Sequence, residues 1–396
     1  MLGLLLARAG VDVLVLEKHK DFLRDFRGDT VHPSTLEVLW ELGLLERFLQ
    51  RPHQKLSEVR GHVGSHEIVV ADFSRLHTHC RFVAMMPQWD FLSFLCDEAA
   101  RFPGFRLLMQ AEVTGITERA GRVTGVVVRT AEGPLEVAAD LVVGADGRSS
   151  TVRAAAALDV EDLGAPIDVL WLRLPRDAHH DAGALGYFTR GHVFVMLDRG
   201  DYWQCAFVIR KAELESIKAR GIETFKAEIV QLVPALRDSV QALGSWDDVK
   251  LLTVKVDRLR RWWRPGLLCI GDCAHAMSPI GGVGINLAVQ DAVAAANLLA
   301  APLRARSLAN EHLANVERRR VFPTRVTQAF QVAVQDHVIG RVLEAKGSIE
   351  PPWPLRLLER WPALRRIPAR AIGIGVRPEH VSESIRRAGA GVLNAR

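Results

Sequence analysis

Cysteine is scarce and unpaired: the five thiols, Cys80, Cys96, Cys205, Cys269 and Cys273, form no C-x-x-C motif and are odd in number. That excludes a disulfide framework and fits a reducing compartment, so the expected location is the cytoplasm. Long apolar runs of bilayer length are missing, which argues against a membrane span. A basic groove with interleaved aromatics is also missing, which argues against a nucleic-acid partner. His77, His79 and Cys80 in "LHTHC", and His179 and His180 in "DAHHD", lack the paired spacing of a zinc site. Surface loops account for both, and no metal is expected. The opening "MLGLLLARAGVDVLVLE" is not expected to be a secretory signal, because Arg8 follows the leucines and Asp12 interrupts the run. Most consequential, no G-x-G-x-x-G turn occurs anywhere near the start.

What remains there reads as the back half of a βαβ unit. Leu2, Leu5, Leu6 and Ala9 recur at helical spacing, Gly10 suits a helix end, and Val11 to Leu16 make a short buried strand closing on Glu17. In a dinucleotide-binding fold an acid at that point binds the adenosine ribose, about 20 residues after a glycine-rich phosphate loop. The chain is therefore expected to begin inside the first helix, without the first strand. Downstream, Pro33 opens a leucine-striped helix, and residues 57–83 are β-rich. A helix is expected over 87–100, followed by a strand meander that closes on Gly144–Gly147. Residues 167–210 alternate like antiparallel strands, a separate sheet. Long helices are expected over 284–299 and 308–342 before a Pro- and Arg-rich tail. From Pro351 onward nine arginines face three glutamates, so the tail carries +6 of a net +5 and the rest of the chain is nearly neutral.

Three motifs carry chemistry. In "GLLCIGDCAHAMSPIGGVGINLAVQD" a buried strand delivers Asp272, and a glycine-rich loop leads into an alanine-rich helix near Gly284. Free N–H groups at such a helix start face an electron-rich ligand, and Asp272 can accept hydrogen bonds from sugar or ribityl hydroxyls. In "DLVVGADGRSSTVR", Asp146 either caps the helix or meets a ligand at the strand's carboxyl end. In "FRGDTVHPST", Arg27 follows the ribose acid in a loop.

Together with Gln88 in "MPQWDFLSFL", the order of these motifs resembles the single-component FAD-dependent aromatic hydroxylases, the para-hydroxybenzoate hydroxylase-like flavoprotein monooxygenases. The likeness runs to about Val342. It implies an α/β fold: a Rossmann-like three-layer FAD-binding domain, lacking its first strand, with a β-rich α+β substrate domain and C-terminal helices. The FAD domain would comprise 1–74, 101–160 and 259–345. The substrate domain would comprise a linking insertion at 75–100 and 161–258, and 346–396 would form a basic amphipathic tail. By the same resemblance Glu17 holds the ribose, and Arg27, Gly28 and Gln88 contact the ribityl and phosphate portion. Asp146, Gly147 and Arg148 belong to a motif shared by FAD and NAD(P)H, and Gly271 and Asp272 bind ribityl hydroxyls. Pro279 and the backbone of Gly281, Gly282, Val283, Gly284, Ile285 and Asn286 line the isoalloxazine.

The implied reaction is hydroxylation of an aromatic, phenol-like or related lipophilic small substrate, using NADH or NADPH and O2 through a flavin hydroperoxide. Tyr202 and Gln204 in "GDYWQCAF" are the polar candidates on the substrate side, although both also suit an ordinary sheet. The alternatives are an FAD-dependent reductase or halogenase on the same scaffold, or a truncated flavin-free remnant. The halogenase stretch W-x-W-x-I-P is missing. The chain is expected to be a monomer or homodimer. Its tail, with Trp353, Leu357, Trp361 and Leu364 among arginines, suits either packing on the body or peripheral contact with anionic lipid.

Overall fold

The structure, a computed structural model, describes residues 1–23, 30–176, 184–345, 347 and 349–393. The leucine run forms the helix Leu2–Arg8, whose Leu4, Leu5 and Leu6 are buried. The strand Val13–Glu17 follows and pairs in parallel with Phe105–Met109. A second parallel pair joins Val142–Gly144 to Leu267–Cys269. Among the described residues these two pairs share no ladder. Residues of both, including Leu14, Leu16 and Val143, border one central cleft. The helix Gly284–Arg304 crosses nearby, and its small residues Ala292, Ala295 and Ala296 are almost fully buried, which allows close approach of the neighbouring backbone.

The second layer is a seven-stranded sheet in the order Lys250–Leu252, Ile167–Pro175, Tyr202–Arg210, His192–Asp198, Ala184–Thr189, Glu58–Val63, His66–Asp72. Period-two alternation divides its faces. Leu170, Phe194, Trp203 and Phe207 pack on one side against Phe225 and Ile229 of the helix Ile222–Leu232. Val195, Ala206 and Val208 face the cleft on the other. Within the span 1–74 assigned from sequence to the first FAD segment, the hairpin Glu58–Val63 and His66–Asp72 joins this sheet, its first strand pairing in parallel with Ala184–Thr189. A hairpin made of locally alternating residues carries no mark of the distant strand it joins.

A correction concerns apolar length. Residues 280–304 are long and apolar enough to cross a bilayer, with a mean hydropathy of 1.4, yet 67% of that window is buried inside the protein. It is a core helix. The tail packs on the body through Leu355 and Leu358, which border the cleft, whereas Trp353 and Trp361 on the opposite face are 73% and 59% exposed. Farther on, the buried Arg8 donates to the carbonyls of Ile385 (3.1 Å) and Arg386 (2.9 Å), tying the last helix to the first.

Candidate functional site

The cleft has a volume of about 3520 Å³ and runs continuously from the end of the first strand to the open face of the seven-stranded sheet. Single ligand pockets span roughly 300–1,000 Å³, so this space suits more than one small molecule. Glu17, Gln88, Asp146, Gly147, Arg148, Gly271, Asp272 and Pro279 all border it, as do Gly281, Gly282, Val283, Gly284 and Ile285. Arg27 and Gly28 lie outside the described residues, as do His179 and His180.

Geometry explains the glycines of the loop. Gly282 has φ +63°, and a Cβ there would sit 2.8 Å from Thr30 Oγ1; Gly271 has φ +58°, and its Cβ would meet that of Ala288 at 3.0 Å. Both positions demand glycine on conformational and steric grounds. The N–H groups of Gly284 and Ile285 stand at the start of a 21-residue helix, where no preceding helical turn offers them a carbonyl, and both residues border the cleft. Arg148 Nε lies 3.3 Å from Asp272 Oδ2, an ion pair across two βα turns with both partners partly exposed to the cleft.

Other expected residues are employed differently. Asp146 accepts from Ser150 Oγ and from the Val152 N–H (3.1 Å), so its carboxylate serves the helix start even as it borders the cleft. Asn286 does not border the cleft. Its Oδ1 accepts from the His32 N–H (3.0 Å) and from Thr35 Oγ1 (2.7 Å), stitching 30–35 to the glycine loop from behind. Gln204 is buried in the cleft wall and accepts from Arg199 Nε at 2.9 Å. Tyr202, in contrast, sits at the strand's far end in a small outer hollow, under the Arg173 guanidinium at 3.6 Å. It is two residues from Gln204 and on the same side of the strand, but that side leaves the cleft before reaching it. His79 stacks on Trp40 and bonds Glu37 (2.8 Å), and Cys80 is buried.

Sequence reasoning passed over a buried charge network. Asp291, fully buried, accepts from the Gly271 N–H (3.0 Å), His275 Nε2 (2.5 Å) and Arg320 Nε (2.8 Å). Burial alone would raise the Asp291 carboxyl; His275 and Arg320 overcome it and hold it below the ordinary range. The only hint in sequence is an acid in the middle of an apolar helix, "INLAVQDAVAAANLL".

His32 was passed over as well. It is 1% exposed, its Nδ1 contacts the Ile372 carbonyl at 2.8 Å, and burial pushes its imidazole down to about 4. Between the unfolded value of about 6.5 and 4, the unfolded chain takes up a proton that the folded chain refuses, so stability falls as pH falls, by up to ~1.4 kcal/mol per pH unit. Urea unfolding of wild type and His32→Gln should show a stability gap that narrows from pH 7 to 4.5. A gap that does not change with pH would remove His32 as the cause.

These residues fit a flavin dinucleotide: an acid at the strand end for a ribose, Asp272 for polyol hydroxyls, and a helix start facing a flat ring. Comparison with known proteins agrees. The family described as FAD binding domain matches residues 1–330. A 6-methylpretetramide 4-monooxygenase of Streptomyces rimosus is 34% identical over 370 residues, covering 92% of this chain and 87% of that protein. Among solved structures, the OxyS anhydrotetracycline hydroxylase of Streptomyces rimosus is 25% identical, with a TM-score of 0.73 over 96% of this chain and 75% of that one. PqsL, a probable FAD-dependent monooxygenase from Pseudomonas aeruginosa, shares the fold at 21% identity, with a TM-score of 0.73 over 87% of this chain and 94% of its own. The chain belongs to the FAD-binding-domain family and is an FAD-dependent monooxygenase of the aromatic hydroxylase type.

Proposed function

We propose that the chain hydroxylates a lipophilic aromatic substrate bound on the open face of the seven-stranded sheet, with NADH or NADPH as reductant. The supporting observation is the continuity of the cleft. The glycine loop at 281–285 and the apolar wall of Val195, Ala206 and Val208 border one space, so a flat cofactor at the loop and a substrate on the sheet can touch. Bound FAD supplies the redox chemistry, accepting hydride from the nicotinamide and activating O2.

The chain's own residues do the rest. Asp272 and Gly271 hold the ribityl hydroxyls, and Glu17 the ribose. The N–H groups of Gly284 and Ile285 oppose negative charge on the ring. The valine wall keeps water away, and Gln204, oriented by Arg199, gives a polar substituent on the substrate one fixed partner. Tyr202 has no part in this arrangement.

The test is NADH and NADPH oxidation by the FAD-loaded protein, with oxygen uptake followed in parallel. The panel includes simple phenols, 2-aminobenzoylacetate, 6-methylpretetramide and anhydrotetracycline. At least one compound should accelerate oxidation more than tenfold and gain one oxygen atom by mass spectrometry. A panel without stimulation defeats the hydroxylase reading, and turnover without oxygen uptake favours a reductase.

A further inference from the structure

The helix Asn310–Val334, with the π-turn Gln335–Ile339 that continues it, buries a polar stripe along one side. Arg320, Thr324, Gln328, Gln331 and Gln335, spaced three or four apart, are at most 1% exposed, whereas Phe322 and Phe330 are each 55% exposed. Burying so many polar side chains costs free energy unless each finds a partner. Arg320 finds its partners in Asp291 and Glu379, and Thr324 Oγ1, Gln328 Oε1 and both polar atoms of Gln335 have none among the described residues; Gln328 and Gln331 turn to the segment before the glycine turn and the strand beside it. Gln328 Nε2 donates to the carbonyls of Asp257 (2.8 Å) and Ala276 (3.0 Å). Gln331 Nε2 donates to the carbonyls of Ser278 and Ile280, both at 2.9 Å, and its Oε1 accepts from the Ser278 N–H at 3.1 Å.

We propose that Gln331, supported by Gln328 one turn earlier, is a positioning residue that sets the cofactor loop from behind. The segment Ser278–Ile280 has no continuous ladder to satisfy its backbone, because the preceding strand is only His275–Ala276. One carboxamide supplies what a neighbouring strand would: an acceptor for one N–H and donors for two carbonyls. Pro279, between those bonded residues, borders the cleft, and Gly281 follows directly. The same helix carries Phe330 and Val334 on the cleft wall, so its placement sets the loop and the substrate space together. The proposal rests on the reading that places FAD against 279–285.

The experiment compares wild type, Gln331→Leu, Gln331→Glu and Asp272→Ala. FAD affinity is measured by fluorescence titration, the bound-flavin visible spectrum is recorded, and amide hydrogen exchange of a 275–283 peptide is followed without FAD. For Gln331→Leu the expected results are faster exchange in that peptide, FAD binding weakened about tenfold and a shifted visible band, together with a lower thermal unfolding midpoint, since one buried N–H and two carbonyls lose their partner. Gln331→Glu keeps the acceptor, opposes two carbonyls with negative charge, and should fall between or below. Unchanged exchange and affinity within twofold in both Gln331 variants would overturn the proposal. Should Gln331→Leu not fold, the Glu variant decides alone. If Asp272→Ala loses flavin while the Gln331 variants keep it, the positioning role fails and the site stands; if all variants keep it, the placement of FAD itself fails.

Discussion

Replacing Arg320 by alanine should lower the unfolding free energy by about 3–5 kcal/mol, because it takes from two buried carboxylates the buried cation that they share. Arg320 is fully buried; its Nε meets Asp291 Oδ1 at 2.8 Å and its Nη1 meets Glu379 Oε1 at 3.3 Å. Asp291 would keep His275 alone, and Glu379 would keep the half-exposed Arg319 at 2.8 Å. The consequence reaches the cofactor loop, since Asp291 also holds the Gly271 N–H. It reaches the tail too, because Glu379 is where residues beyond the amphipathic helix return to the body, its N–H given to Gln290. Urea unfolding monitored by tryptophan fluorescence measures the loss. A change below about 1 kcal/mol would mean that the network merely breaks even against its desolvation, as many buried ion pairs do.

The second large effect concerns Asp272. Asp272→Ala removes the one carboxylate that the strand Leu267–Cys269 and its short following turn aim into the cleft beside the glycine loop. A hydrogen bond to a charged acceptor is worth about 1.5–3 kcal/mol, so the loss of one weakens FAD binding by roughly 10- to 150-fold. The protein should emerge from desalting without its yellow absorbance while its unfolding transition barely moves, since the Asp272–Arg148 pair is partly exposed and contributes little to stability. Asp272→Asn, which still accepts one hydrogen bond, should lie between. Stoichiometric FAD retained by the alanine variant would rule out a cofactor role for this carboxylate.

Much of the site was legible because it is local. Strand, acid, glycine loop and helix in "GLLCIGDCAHAMSPIGGVGINLAVQD" occupy consecutive positions, so their order in sequence is their order in space. The meander over 105–144 and the antiparallel run over 167–210 could likewise be read from alternation and turn residues. Illegible were the residues whose role depends on a distant partner. Asn286 is read from sequence for its backbone at the cofactor loop, and nothing there signals that its side chain ties that loop to His32 and Thr35, some 250 positions away. Tyr202 and Gln204 share a strand and a side, yet only Gln204 reaches the cleft, because the limit of the space is set by the neighbouring elements.

By itself, then, the sequence determined the class of fold and the order of the motifs, since each rests on short-range pattern: period-two strands, helix starts, and glycines where φ must be positive; the cofactor followed from the family that this order of motifs resembles. Tertiary structure alone decided which faces are inside. A periodicity of polar and apolar residues tells that the helix Asn310–Val334 has two faces, and hydrophobicity alone would have buried Phe322 and Phe330. The structure buries the glutamines instead. Gln328 and Gln331 contact a segment whose backbone N–H and carbonyl groups no strand satisfies, and each such group left unpaired in the interior would cost about 1–3 kcal/mol.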